Sequence, residues 1–259
     1  MPKITTEQVK ELRDATGVSV MQCKNALEEA GGDMEKALII LKKTSSNIAM
    51  KKAERNAKDG IVVVRQKENY GLILTLHCET DFVAKNEDFI NLANSLADLA
   101  INDGIDKMRE TSSEMINTVI QKVGEKIEIG KIEEIEGAIL NSYVHNNKTA
   151  VMVALNKGTE ELAKDIAMHI AAMKPVYVKK EDIKEEDKTK VIEVFQKEVE
   201  ETGKDEEIKK KMLEGKINTF FKEQTLMEQM FIKDQGISIE KLLLNNGAEF
   251  SSFVYASII

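Results

Sequence analysis

Three residues that could do chemistry together are consecutive in this chain. His77, Cys78 and Glu79 combine an imidazole, a thiol and a carboxylate, a set that could hold a metal ion or form an activated nucleophile. They end an apolar, β-rich run, and successive side chains of a strand point to opposite faces. Cys78 therefore points away from its two neighbours, and we expect a packed strand with one buried thiol.

A second candidate group lies directly after this run, in the sequence TDFVAKNEDF. The helical apolar spacing begins near Phe89, yet Phe82 and Val83 come earlier, beside Asp81. Two interpretations stay open. In the first, Asp81 or Thr80 caps the helix and Phe82 packs as a hydrophobic staple. In the second, the ring and the carboxylate point outward and bind another molecule. Spacing alone favours the first.

A third candidate is His145, which follows Tyr143 at a predicted hairpin turn. Spacing favours a surface-loop histidine over a binding contact, although binding residues are often found on such turns. The sequence contains no GxxxxGK[ST], GxGxxG, HExxH or GxSxG pattern. The common nucleotide-binding loops, zinc-protease helices and hydrolase elbows are therefore not indicated.

The composition describes a folded chain of one or two domains: 259 residues, 42% hydrophobic and 32% charged. The net charge of −8 argues against a general nucleic-acid binder, although residues 1–58 alone carry +3. Cys23 and Cys78 are too few and too distant for a disulfide framework. Because no signal-peptide pattern and no long apolar run is present, we expect a cytoplasmic chain without a membrane contact.

The N-terminal residues predict three short helices. Thr5, Ser19 and Asp33 are suited to cap their N-termini, and Gly17 and Gly31-Gly32 to end the first two. A polar stretch then follows, which reads as a linker or an exposed helix.

The middle of the chain contains an internal repeat. After Gly60 and again after Gly137, a β-rich run, a polar turn and a second β-rich run lead into a helix. A further helix, Met108 to Val123, and a strand, Lys126 to Ile132, lie between the two copies. The pattern predicts a two-part α/β core of related hairpin-plus-helix halves.

The C-terminal third begins with a highly charged segment that has a narrow apolar seam interrupted at Gly203. This pattern predicts an antiparallel coiled hairpin of two helices. A helix from Ile239 to Asn245 and a closing strand from Phe250 to Ile258 are expected to complete the core.

Four stretches resemble, in order and over nearly the whole chain, the elongation factor Ts family, the guanine-nucleotide exchange factors of elongation factor Tu. They are LRDATGVSVMQCKNALEEAGGDMEKAL, TDFVAKNEDF, Tyr143 with His145, and DIAMHIAAMKP. The resemblance implies an α+β fold with a ubiquitin-associated-like three-helix head, the two-part core and an inserted coiled hairpin. The expected divisions are a head at 1–42, a linker at 43–59, core halves at 60–140 and at 141–180 with 224–259, and the hairpin at 181–223.

The resemblance also implies a partner and a site. Elongation factor Tu is the expected partner, with Thr80, Asp81, Phe82 and Val83 entering near its magnesium site. Val20, Met21 and His145 are weaker candidates for contacts. At positions 20 and 22, Val and Gln depart from the residues common in the family. No catalytic residue, metal, cofactor or direct nucleic-acid contact is expected. Complexes of one or of two copies of each protein are both consistent with the family.

Two other classes of function remain as alternatives. One is a small hydrolase or metal enzyme that uses His77, Cys78 or His145. The other is an RNA-binding translation protein, suggested by the mildly basic head.

Overall fold

The computed structural model describes residues 4–258, which fall into two compact units. Unit 1 contains the described residues up to Glu134, together with Val144–Ala150 and those from Val254 onward. Unit 2 contains Ile135–Tyr143 and Val151–Phe253. Every candidate site residue predicted from the sequence belongs to unit 1.

Unit 1 begins with three helices, α1 (Thr6–Thr16), α2 (Val20–Glu29) and α3 (Met34–Lys52). The side chains of Thr5, Ser19 and Asp33 each accept a hydrogen bond from a backbone N–H of the following first turn, as predicted. These helices enclose a small apolar core of buried residues: Leu12, Val18, Cys23, Ala26, Leu27, Ala37 and Leu41.

The rest of unit 1 contains β1 (Asp59–Lys67), β2 (Tyr70–Cys78), α4 (Asp81–Ala84), α5 (Glu87–Asp103), α6 (Ile105–Val123) and, as far as Glu134, β3 (Glu128–Glu136). The three strands form one sheet in the order β1-β2-β3. β1 and β2 are antiparallel, with Asp59 opposite Cys78 and Lys67 opposite Tyr70. The apolar residues of this hairpin and of α5 and α6 form the main core, so the predicted first hairpin-plus-helix half is present.

The stretch predicted as a linker or an exposed helix is helical as far as Lys52. Ser45 is buried, and Ile48 and Ala49 pack against the main core of unit 1. Their spacing continues the helical pattern of α3, and the many polar neighbours concealed this weak apolar face from sequence reasoning.

Unit 2 and the second sheet are built from β4 (Ile139–His145), β5 (Thr149–Lys157), α7 (Glu160–Met173), α8 (Glu185–Glu200), α9 (Glu206–Gln224), β6 (Met230–Phe231), β7 (Asp234–Ser238), α10 (Ile239–Asn245) and β8 (Glu249–Ser257). The sheet has the order β4-β5-β8, so the predicted closing strand pairs beside the second hairpin. The α+β class and the repeated halves are confirmed. No helix within residues 4–258 is long and apolar enough to cross a membrane.

Helices α8 and α9 form the predicted helical hairpin, and Gly203 between them adopts a left-handed conformation. Val199 and Phe221 are buried, and the rings of Phe195 and Phe220 meet edge to face. Ile208, an apolar residue of α9, is 46% exposed. The seam is therefore narrower than the apolar spacing indicated.

The β6-β7 pair was not predicted, because strands of two and five residues carry no readable alternation. Buried His169 of α7 helps to hold it. The Nε2 atom of His169 lies 2.9 Å from Gln229 Oε1, and its Nδ1 atom accepts a hydrogen bond from the backbone N–H of Ile232 at 3.3 Å. Since Oε1 only accepts and N–H only donates, these partners require the neutral ring with its proton on Nε2. Burial also lowers the pKa of His169.

Candidate functional site

The corner between β2 and α4 is built around Thr80. Its side-chain oxygen accepts a hydrogen bond from the backbone N–H of Val83 at 3.4 Å, so Thr80, and not Asp81, caps α4. Val83 and Ala84 are buried in the main core of unit 1. The corner is therefore anchored by Val83 on its inner side and capped by Thr80.

A carboxylate from another part of unit 1 fixes the same corner. Glu125 Oε2 accepts hydrogen bonds from the backbone N–H groups of Glu79, at 3.1 Å, and of Thr80, at 3.0 Å. Its Oε1 accepts a third from the Thr80 hydroxyl at 2.6 Å. Gly124, in the left-handed conformation, ends α6 and turns the chain. Glu125 is the first residue after this turn.

Phe82 points away from this anchored structure. With 81% of its surface exposed, it is the most exposed large apolar side chain among residues 4–258. The hydrophobic-staple interpretation is therefore wrong: a staple packs against the following turn and is covered. An exposed ring on a corner held by buried neighbours is a surface feature available to another molecule.

Asp81, beside the ring, is also exposed. Its carboxylate accepts a hydrogen bond from Lys85 Nζ at 2.7 Å, one turn later along the chain. That bond raises the pKa of Lys85, and the nearby carboxylate of Asp59 raises it further. Because the pair lies at the surface, water and salt screen it, and Asp81 can exchange Lys85 for another partner at low cost.

The turn that carries His145 is held against β1. The backbone N–H of Val62 donates to the carbonyl oxygen of Asn147 at 2.9 Å, and Lys148 Nζ forms a salt bridge with Asp59. His145 itself is exposed. Asp59 thus interacts with the His145 turn through Lys148 and with the Asp81 corner through Lys85. The turn and the corner, which carry two of the predicted contacts, are therefore linked through Asp59 within unit 1.

Val20 and Met21 occupy the first turn of α2 and are 52% and 64% exposed. The next residue, Gln22, accepts a hydrogen bond from Gln121 of α6 at 3.2 Å. The C-terminal end of α6 therefore contacts the start of α2, and Glu125, just beyond it, holds the corner of α4. Both exposed apolar groups, Val20 with Met21 and Phe82, thus lie on segments that are hydrogen-bonded to the C-terminal end of α6 or to the residue just beyond it.

Of the consecutive His77, Cys78 and Glu79, the last two have structural roles, and His77 is half-buried. Cys78 is fully buried, and burial raises the pKa of its thiol to about 12, so a nucleophilic thiolate is strongly disfavoured. Glu79 accepts a hydrogen bond from the Lys126 backbone at 2.7 Å and pairs with Arg55. Within residues 4–258, no three His, Cys, Asp or Glu side chains are grouped closely enough to hold a metal ion.

Sequence reasoning missed Glu125. The carboxylate is 45 residues from Thr80, and neither periodicity nor composition connects them. The only local signal was its position after a glycine that ends a predicted helix, which indicates a turn but not the partner of the side chain.

Comparisons with known proteins identify the family of the chain. The family described as Elongation factor TS matches residues 79–258, a range that begins at the corner. Over 98% of the chain and 91% of their own lengths, curated proteins named Elongation factor Ts are similar to it: those of Hahella chejuensis and Pasteurella multocida are each 39% identical, and that of an Enterobacter species is 40% identical. The chain therefore belongs to the elongation factor Ts family of translation elongation factors.

Proposed function

We propose that the chain is a guanine-nucleotide exchange factor that binds elongation factor Tu and accelerates its release of GDP. The observation that carries the proposal is the exposed Phe82 ring beside Asp81 on a corner fixed from within. Exposed aromatic side chains are common anchors of protein interfaces. Because the backbone of the corner is fixed before binding, it loses little conformational freedom on contact, and more of the burial energy of the ring contributes to affinity.

The proposed contact divides the corner by burial. Phe82 and Asp81 meet the partner, while Thr80 and Val83 hold them in position. Val20, Met21 and His145 are exposed on unit 1 and provide further contacts in this proposal.

The mechanism follows from the chemistry of a bound nucleotide. Proteins hold nucleotide phosphates with backbone N–H groups and a magnesium ion. A ring and a carboxylate that enter near this site displace the groups that hold the magnesium ion, and the negative charge of Asp81 opposes that of the phosphates. Any protein that binds the nucleotide-free form best must weaken GDP binding by the same factor. No covalent bond is made or broken, so the action is not enzymatic in the ordinary sense.

The experiment uses elongation factor Tu loaded with fluorescent GDP and an excess of unlabelled GDP. We expect addition of the chain to accelerate the fluorescence change in a saturable way, with the released GDP chemically unchanged. The hydrolase alternative predicts consumption of a substrate instead. An unchanged release rate across all concentrations of the chain would refute the proposal.

A further inference from the structure

We propose that Glu125 is the positioning residue of the exchange site: its carboxylate sets the direction in which Phe82 and Asp81 point. The inference rests on the exchange function proposed above and assigns the geometry of that site to a residue outside it. Glu125 is half-buried and acts through Thr80, and it makes no contact with a partner in this account.

The bonding is reciprocal. The side chain of Glu125 accepts from the backbones of Glu79 and Thr80, and the side chain of Glu79 accepts from the backbone of Lys126. Two short segments, 79–80 and 125–126, therefore hold each other through both of their carboxylates. Bonds to ionised acceptors are the stronger class of hydrogen bond, and several together fix an orientation that one bond would leave free.

The clamp extends directly into α4. The Thr80 hydroxyl donates its proton to Glu125 and accepts the backbone N–H of Val83, so Glu125 fixes the orientation of the cap. α4 is only four residues long, and a single turn is not stable without outside support. The carboxylate of Glu125 supplies that support at the residue before Asp81.

Substitutions of Glu125 distinguish a positioning role of its side chain from a direct effect of its negative charge. Glu125→Gln keeps an acceptor for both N–H groups, and we expect maximal GDP release within about threefold of wild type, the effect of a weakened neutral hydrogen bond. Glu125→Asp is shorter by a methylene and loses reach, and Glu125→Ala has no acceptor. For both we expect a loss of about tenfold or more, since small displacements of positioned groups have large effects. A Gln variant as impaired as Ala would overturn the proposal.

A second background tests whether the effect passes through the corner. In a protein that already carries Asp81→Ala and Phe82→Ala, Glu125→Ala should change the release rate by less than about twofold, because residues in one chain of contacts are not additive. A full additional tenfold loss would show an independent role and overturn the proposal. Glu110→Ala is the matched control: it removes one exposed carboxylate from α6, where Glu110 pairs with Lys107, and should leave release unchanged.

Amide hydrogen exchange gives a readout independent of activity. We expect the Glu79 and Thr80 amides to lose protection in Glu125→Asp and to keep it in Glu125→Gln, while the amide of buried Leu96 in the middle of α5 stays protected in both. If Glu125→Ala does not fold, the Asp and Gln variants carry the test. Unchanged protection in Glu125→Asp would overturn the proposal. A wild-type chain that fails to accelerate GDP release from elongation factor Tu would refute the proposed function. Amide exchange would still decide the role of Glu125.

Discussion

Replacing Phe82 with alanine separates binding from stability. Only about a fifth of the side chain is covered in the chain itself, since 81% is exposed. Full burial of such a side chain contributes about 1.5–3 kcal/mol, so its loss here should cost about 0.3–0.6 kcal/mol. For a chain of this size that corresponds to a decrease of about 1–2 °C in Tm, and the better helix propensity of alanine offsets part of it.

The effect on the partner should be far larger. If the exposed four-fifths of the side chain becomes covered at an interface, the same range gives about 1.2–2.4 kcal/mol. This corresponds to about an eight- to sixtyfold change in affinity. We therefore expect Phe82→Ala to weaken the stimulation of GDP release by about eight- to sixtyfold while the protein remains folded.

The assay compares stimulated GDP release and thermal melting for wild type, Phe82→Ala and a control. Leu244→Ala is matched, because Leu244 is 77% exposed and lies in unit 2. It should leave both measurements unchanged. A Phe82→Ala protein that melts several degrees earlier yet exchanges normally would refute the reasoning, as would an equal loss in the control.

Asp81, the exposed start of α2, the helical hairpin and His169 can each be tested by substitution or deletion. Asp81→Ala should slow GDP release without lowering the Tm measured by differential scanning fluorimetry, because Thr80 supplies the cap. Val20→Asp combined with Met21→Asp should weaken association with elongation factor Tu, measured by calorimetry, since burying carboxylates at an apolar contact is costly. An unchanged affinity would mean that neither residue contacts the partner. Replacing residues 188–218 with a short linker should leave a folded protein by circular dichroism, whereas a fully unfolded product would make the hairpin part of the core. Because the pKa of His169 is lowered on folding, the free energy of unfolding in urea should be highest above pH 6.5 and fall as the pH decreases below it. His169→Gln should make this decrease with pH smaller, and an unchanged decrease would contradict the prediction.

Local signals predicted most of the fold. Thr5, Ser19 and Asp33 cap the helices for which they were proposed, and α10 has the predicted bounds, because capping and helical spacing depend on residues a few positions apart. The domain boundaries themselves stay a prediction. The signals failed where contacts from other elements decide the structure, as for the end of α3, whose weak apolar face packs on the main core.

The candidate site, too, was predicted from local signals only in part. The sequence identified the Asp81–Phe82 corner but left two interpretations open, since a staple and an exposed ring share one spacing. Burial of Val83 and exposure of Phe82 decide between them, and both depend on the complete core. Glu125 could not be found at all, because its partners are near only after folding. The roles of these residues toward a partner stay a prediction.

If the chain is an exchange factor, then it and GDP each weaken the binding of the other to elongation factor Tu. The most direct measurement is the affinity of the chain for that protein by calorimetry, once without nucleotide and once with saturating GDP and magnesium. Linkage predicts weaker binding in the presence of GDP, by about tenfold or more, and an equal weakening of GDP binding by the chain. Equal affinities under the two conditions would refute the exchange function.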